Sequence, residues 1–201
     1  MNLVLVDYGA GNVTSVVKGL TAAGALVRIA TAPDELVGAE GLVIPGVGHF
    51  GSTAALGAGW RRAIRDRIEA GVPLLGICLG MQWLFEGSDE APDNPGLGVF
   101  AGRCFRLPDV VKVPHVGWNT LESSGQTSRL LRHVPADAMA YFTHSYAAPA
   151  EAAIAVTTHG VPFSAAVERG RVFGTQFHPE KSGSAGLRML GNFVDVVAEA
   201  R

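Results

Sequence analysis

Apolar and polar positions follow two alternating periods along the first ninety residues. Asn2 to Asp7 is a short apolar run ending in the turn Tyr8-Gly-Ala-Gly-Asn12, after which Val13, Val16, Val17 and Leu20 recur at helical spacing. A strand, a turn and a helix are predicted. Ala25 to Ala30 and Gly41 to Ile44 read as two further strands, Ala54 to Ala70 as a helix closed by Gly71, and Val72 to Ile77 as a buried strand. Strands alternating with helices predict a mostly parallel sheet covered on both faces, in which sites gather at the carboxyl ends of strands. From Gly98 to Phe177 the pattern changes to short apolar runs broken by Gly, Pro and Ser, without a strong helical period. Antiparallel strands, added to the sheet or beside it, are expected there. A last helix is predicted over Ala185 to Ala198, and Asp89 to Pro95 and Ser123 to Thr127 are the expected flexible loops.

Size and charge narrow the function. With 201 residues, 48% of them apolar, the chain is expected to form one α/β domain over residues 1–201. A net charge of −2 leaves no basic excess to neutralise a phosphate backbone, so no nucleic-acid partner is expected. The longest apolar stretches are far shorter than a membrane span, and the chain enters its first strand without a charged leader, so a soluble, cytoplasmic protein is expected. The two cysteines, Cys78 and Cys104, form no Cys-x-x-Cys pair and have no histidine spacing that would complete a zinc site. No disulfide, metal or cofactor is expected.

The most informative segment is Pro73-Leu-Leu-Gly-Ile-Cys-Leu-Gly-Met-Gln82, where an apolar strand runs into Gly76-Ile77-Cys78-Leu79-Gly80 and a helix begins. A Gly-x-Cys-x-Gly elbow of this kind holds its central residue in a strained turn with the side chain presented, and a following helix N-terminus favours the thiolate. A lone cysteine at a strand end is more often an inert core thiol; the two flanking glycines shift the balance. Cys104 lacks such a frame and reads as a structural thiol.

Six histidines compete for the role of base, His49, His115, His133, His144, His159 and His178, and only His178 has an acid placed to orient it. In an extended segment His178 and Glu180 would point to the same face, with Pro179 turned away and stiffening the link. A carboxylate holding one imidazole nitrogen leaves the other free to take a proton from Cys78. Alone, such a pair is commonly a surface ion pair; beside an elbow cysteine it completes a triad. His133 and His159 look solvated.

The glycines of Ile44-Pro-Gly-Val-Gly-His-Phe-Gly51 let backbone N–H groups approach a ligand. This loop would supply one oxyanion donor, at Val47, and Leu79 the second. A plain glycine-rich turn is the competing reading.

These residues resemble the class I, triad-type glutamine amidotransferases through Pro45-Gly-Val-Gly48, Gly76-Ile-Cys-Leu-Gly-Met-Gln82 and Phe177-His-Pro-Glu180. Within that family the chain is similar to the glutaminase subunits of imidazole glycerol phosphate synthase in histidine biosynthesis. The narrower likeness rests on Asp7-Tyr-Gly-Ala-Gly-Asn12, Lys112-Val-Pro-His-Val-Gly-Trp-Asn119, Tyr141-Phe-Thr-His-Ser-Tyr146 and Gln176-Phe-His-Pro-Glu-Lys-Ser-Gly183, in the expected order over essentially the whole chain. The resemblance implies a flavodoxin-like mixed sheet, Cys78 as nucleophile, His178 as proton carrier and Glu180 as its orienter. It also implies glutamine contacts at Gly48, Gln82, Glu90, Ser145 and Tyr146, the last two through backbone groups. The implied partner is a (β/α)₈ cyclase subunit that consumes the ammonia, in a heterodimer docked near Asn12, Trp118, Tyr141 and Lys181, with glutaminase activity low until the partner carries its ligand. Rotation of a peptide in Pro45-Gly-Val-Gly48 would be the switch.

The chain departs from the family pattern at Val116 and Thr143, and in the loop Ser88 to Pro95, where Pro92 and Pro95 bear on the geometry of Glu90. Two alternatives stand beside this reading. One is another glutaminase of the same fold, serving pyridoxal phosphate synthesis, or a free-standing γ-glutamyl hydrolase; the motifs around Lys112 to Asn119 and Tyr141 to Tyr146 weigh against both. The other is a catalytically silent docking module, against which an intact triad argues.

Overall fold

The computed structural model describes residues 1–200. Thirteen strands and four α-helices alternate along them. The first part runs β1 (Asn2–Val6), α1 (Val13–Ala22), β2 (Leu26–Ala30), β3 (Gly41–Ile44), α2 (Ala58–Glu69), β4 (Leu74–Ile77) and α3 (Leu79–Trp83). The second runs β5 (Gly87–Ser88), β6 (Arg103–Arg106), β7 (His115–Thr120), β8 (Glu122–Ser123), β9 (Met139–His144), β10 (Tyr146–Ala147), β11 (Ala153–His159), β12 (Val161–Arg169), β13 (Val172–Thr175) and α4 (Gly183–Glu199).

Eight strands form one sheet in the order β2-β1-β3-β4-β13-β12-β11-β8. The first five are mutually parallel, and the last three add on antiparallel. The expected fold class is borne out: a parallel half followed by antiparallel strands. Two smaller sheets lie beside it, the β7–β9 ribbon and the trio β10-β6-β5. The last helix is longer than the apolar pattern predicted. The helix expected from Ala54 divides instead into a 3₁₀ segment, Phe50–Ala55, and α2, separated by Leu56 and Gly57.

Strand alternation builds the two faces. Leu3 and Leu5 pack with Val16 and Leu20 of α1 and with Met189, Leu190 and Phe193 of α4, whereas Val4 and Val6 pack with Trp60 and Ile64 of α2. Both faces of β1 are therefore buried, as a parallel strand between helical layers requires. No helix among the described residues is long and apolar enough to cross a membrane. The arrangement brings the carboxyl ends of β1, β3, β4 and β13, four neighbours in the sheet, to one edge, with Tyr8, Gly46, Cys78 and Gln176 following them.

Candidate active site

The sheet delivers Cys78 at the end of β4 with φ 52° and ψ −107°, in a region that non-glycine residues occupy at a cost of about 1–3 kcal/mol. That turn is pinned at both ends. The Cys78 N–H donates to the Thr175 carbonyl of β13 at 2.7 Å, and the Cys78 carbonyl accepts from the Gln82 N–H at 3.0 Å. The flanking glycines provide space rather than torsional freedom. A Cβ on Gly76 would lie 2.8 Å from backbone atoms of Gly80 and Met81, and one on Gly80 would lie 1.9 Å from the Ile44 carbonyl oxygen. Strain is thus concentrated on the cysteine, and the glycines let β3, β4 and α3 close around it. At five residues α3 is short, which makes its dipole a smaller aid to a thiolate than the sequence pattern suggested.

His178 follows β13, and its Nδ1 lies 2.8 Å from Glu180 Oε1, with both side chains shielded from solvent. The pairing does not arise from strand alternation. His178 is extended, but Pro179–Lys181 curls into a 3₁₀ turn that brings the carboxylate back onto the ring. The turn is braced by Ser182 Oγ, which donates to the His178 carbonyl at 2.6 Å and accepts from the Tyr141 N–H at 3.0 Å. It is also pressed by α4: a Cβ on Gly186 would sit 2.0 Å from the Pro179 carbonyl oxygen. His178 Nε2 is buried without a full hydrogen bond, yet the Cys78 thiol is close enough to interact with it. Such contacts are commonly loose until substrate is bound. Burial pulls the His178 pKa down, but the interactions with Cys78 and Glu180 outweigh it and raise it to about 9. Both interactions favour the protonated imidazole.

The glycine loop after β3 rests with the Gly46 carbonyl accepting from the Leu79 N–H at 3.3 Å. One of the two expected oxyanion donors is therefore occupied by the chain itself. Because a trans peptide sets its C=O and N–H on opposite sides, the Val47 N–H of that same unit points away from the elbow. Val47 is exposed and Gly48 has φ +95°, a left-handed conformation suited to glycine. Gly46 has no room for a side chain, since a Cβ would meet the Tyr8 hydroxyl at 2.4 Å and Leu79 Cβ at 2.7 Å.

A cavity of about 270 Å³ opens onto Cys78 and Leu79, and Gly48, Gln82, Glu90, Ser145 and Tyr146 all line it. The five positions singled out in the sequence for substrate contact thus converge on the candidate nucleophile. Pro114, Thr143 and His144, which sequence reasoning did not assign, line it too. Glu90 does not sit in a loose loop: its carboxylate accepts from the Phe50 N–H at 2.7 Å, and Asn94 Nδ2 donates to the Phe50 carbonyl and to Thr53 Oγ1.

An elbow cysteine and a glycine-rich loop bordering one polar cavity, with a carboxylate-held histidine buried against the cysteine, are the parts of an acyl-transfer site, and comparison with known proteins gives its family. Residues 4–197 match the glutamine amidotransferase class-I family. The chain is 48% identical to the imidazole glycerol phosphate synthase subunit HisH of Deinococcus radiodurans, covering 98% of this chain and 95% of that one. It is 47% identical to the HisH subunit of Halobacterium salinarum, over 98% and 94% of the two chains. The chain belongs to the class I glutamine amidotransferase family. A crystal structure of a glutamine amidotransferase, 21% identical, matches with a TM-score of 0.72 over 97% of this chain and 98% of that one.

Other features of this amidotransferase were not visible in its sequence. Gln176 is fully buried beside the elbow, where its Nε2 lies 3.7 Å from Cys78 Sγ. His159, expected to be solvated, instead stacks on His115 with ring centroids 4.1 Å apart, and its Nε2 bonds the Lys112 carbonyl. His115 Nδ1 in turn bonds His144 Nε2 at 3.2 Å, and His144 Nδ1 donates to the Tyr146 carbonyl at 2.9 Å. Burial first, then the neighbouring histidines, lowers the pKa of His115 to about 4 and of His144 to about 3. Cys104 is buried and its pKa is pushed well up by desolvation, in keeping with a structural thiol. Among the proposed docking residues, Trp118 packs edge-on to Tyr141 and Lys181 Nζ lies 5.8 Å from the Tyr141 ring centroid, while Asn12 caps α1 by accepting from the Ser15 N–H. Trp118 is 52% exposed and Val116 57%, so the β7–β9 ribbon carries an uncovered apolar stripe.

Proposed function

We propose that this chain is the glutaminase subunit of an imidazole glycerol phosphate synthase, hydrolysing L-glutamine to glutamate and ammonia for a (β/α)₈ cyclase subunit in histidine biosynthesis. The observation that carries this reading is the convergence of Cys78 and all five proposed glutamine contacts on one cavity, with the His178–Glu180 pair buried behind it in contact with Cys78. The Cys78 thiolate attacks the carboxamide carbon of glutamine, and the carbonyl oxygen becomes an oxyanion. His178 delivers its Nε2 proton to the amide nitrogen, the C–N bond breaks, and ammonia leaves a glutamyl thioester. Water then attacks the thioester as His178 takes a proton from it; the C–S bond breaks, glutamate departs and the cysteine returns. Glu180 keeps the ring in the orientation both steps need.

In the resting conformation the oxyanion would meet the Gly46 carbonyl, another partial negative charge, so that geometry opposes catalysis. Rotating the Gly46–Val47 peptide removes the carbonyl and brings the Val47 N–H in, giving two donors. The partner drives this rotation on docking at the Trp118, Tyr141 and Lys181 patch, whose exposed apolar area suits a protein surface. Ammonia release from a partnered glutaminase is thereby tied to demand.

Glutamate release from glutamine, measured for the chain alone and with a histidine-pathway cyclase subunit and its ligand, tests the reading. The expected result is low activity alone and stimulation well above about tenfold, a change equivalent to about 1.4 kcal/mol of barrier, abolished by Cys78→Ala. High activity without a partner would make the chain a free-standing hydrolase, and no activity under either condition would sink the proposal.

A further inference from the structure

Gln176 has no part in the mechanism above, yet it is fully buried, immediately after β13, with a side chain that reaches the sulfur. Its amide can be oriented without ambiguity. The Tyr146 carbonyl can only accept, so the Gln82 atom 2.7 Å from it is the donor Nε2. The same Nε2 gives its other hydrogen to Gln176 at 3.0 Å, which makes the Gln176 atom there Oε1. Nε2 of Gln176 is then the end that faces Cys78 Sγ at 3.7 Å. Turning either amide over would set donor against donor or acceptor against acceptor in a space without solvent. His144 holds the far end of this chain by donating to the same Tyr146 carbonyl.

We propose that Gln176 is a further catalytic residue of the glutaminase reaction: its buried side-chain N–H donates a hydrogen bond to the Cys78 sulfur and favours the thiolate, with Gln82 as the residue that orients it. The inference rests on the glutaminase reading and deepens it. An N–H directed at a sulfur does little for a thiol and much for an anion, because charge-assisted hydrogen bonds are about twice as strong as neutral ones. Apart from its contact with His178, the thiol's own bond is a distant one, to the Thr143 carbonyl at 4.0 Å. With α3 only five residues long, a side-chain donor supplies what the helix end does not. The chain Tyr146–Gln82–Gln176 also ties the substrate-binding strand end to the nucleophile, so a displaced Tyr146 would turn the donor away. No proton is transferred by Gln176; it donates and keeps its hydrogen throughout.

The test uses Gln176→Met, which keeps the volume without the donor, and Gln176→Glu, which keeps the acceptor for Gln82 and places an oxygen against sulfur. Alkylation of Cys78 by iodoacetamide is followed from about pH 6 to pH 10 in the chain, and kcat and KM for glutamine in the complex with the cyclase subunit. Losing a donor lowers the thiolate fraction but leaves each thiolate more nucleophilic, with a Brønsted exponent of about 0.4–0.5. Gln176→Met is therefore expected to alkylate several-fold more slowly at pH 7 and as fast as or faster than wild type at pH 10, with Gln176→Glu slower still at pH 7. In the complex kcat falls about tenfold or more, with KM within about twofold. Alkylation at pH 7 and kcat both at wild-type values in either folded variant would overturn the proposal. A wild-type complex that releases no glutamate would instead refute the glutaminase reading, and the alkylation profile would still judge the hydrogen bond.

Discussion

At the scale of single residues, the proposed triad acid carries an effect that can be separated from folding. Glu180 is shielded and accepts from His178 Nδ1 at 2.8 Å, so replacing it by Gln preserves shape while removing the charge that helps hold the imidazole protonated. Glu180→Gln should lower kcat of the partnered enzyme by about 10²–10⁴-fold, the range of general acid–base catalysis, with little change in KM for glutamine. Steady-state kinetics would decide, and a proportional rise in KM instead would place Glu180 among the binding groups. The neighbouring residues teach how far a motif can be read. Gly76, Cys78 and Gly80 announced an elbow because glycine and cysteine are informative letters, but which of them carries the strain depends on distances to Ile44 and Met81 that no local spacing encodes.

At the scale of elements, α4 and the 3₁₀ turn of Pro179–Lys181 form a functional pair, because Gly186 lets the helix lie against the Pro179 carbonyl. Two glycines of α4 make a controlled comparison. A Cβ on Gly191 would meet nothing within 4 Å, so Gly191→Ala should stabilise by about 0.5–1 kcal/mol through helix propensity alone. Gly186→Ala gains the same propensity but drives a methyl into a backbone carbonyl at 2.0 Å, and overpacking costs about 1–3 kcal/mol. Urea unfolding should show the first variant stabilised and the second destabilised, with only the second losing kcat. Equal behaviour of the two would mean the helix does not brace the triad. The parallel half of the sheet was legible because its apolar runs and their helices follow two clean periods. The β5, β6 and β10 trio was not, since two-residue strands such as Gly87–Ser88 and Tyr146–Ala147 are too short to carry a period. The His178–Glu180 pair was found for a reason that the backbone does not support: their meeting depends on a turn rather than on strand alternation. Gln176 stood in a quoted motif but gave no sign that a polar side chain there is fully buried against sulfur.

For the whole molecule, buried imidazoles set the pH range of stability. His115 and His144 face one another, His159 stacks on the first and His178 is near enough to act electrostatically on the second. Their folded pKa values of about 4 and about 3 lie below the ordinary 6.5, so the unfolded chain binds more protons in between. Their contribution is therefore complete above about pH 6.5 and is lost as pH falls toward 4, at up to about 1.4 kcal/mol per pH unit for His144 and less for His115, which solvent screens more. His178 has the opposite sign: raised to about 9, its contribution is complete below 6.5 and is lost as pH rises through 9. Stability should peak near neutral pH. Urea titrations at about pH 5 and pH 7 would show it, and His144→Asn, which can still donate to the Tyr146 carbonyl, should remove about one proton from the acid slope. An unchanged slope would mean His144 is not the buried neutral ring described.

The Gly46 carbonyl that rests on the Leu79 N–H has a thermodynamic corollary. If docking of the cyclase subunit and formation of the tetrahedral adduct both require the same rotated peptide, each must favour the other by an equal factor, since coupling between two binding equilibria is reciprocal. A substrate mimic locked onto Cys78 with its oxygen in the hole would then strengthen the association of the two subunits, and the grip between them would report, from outside, what is bound at the sulfur.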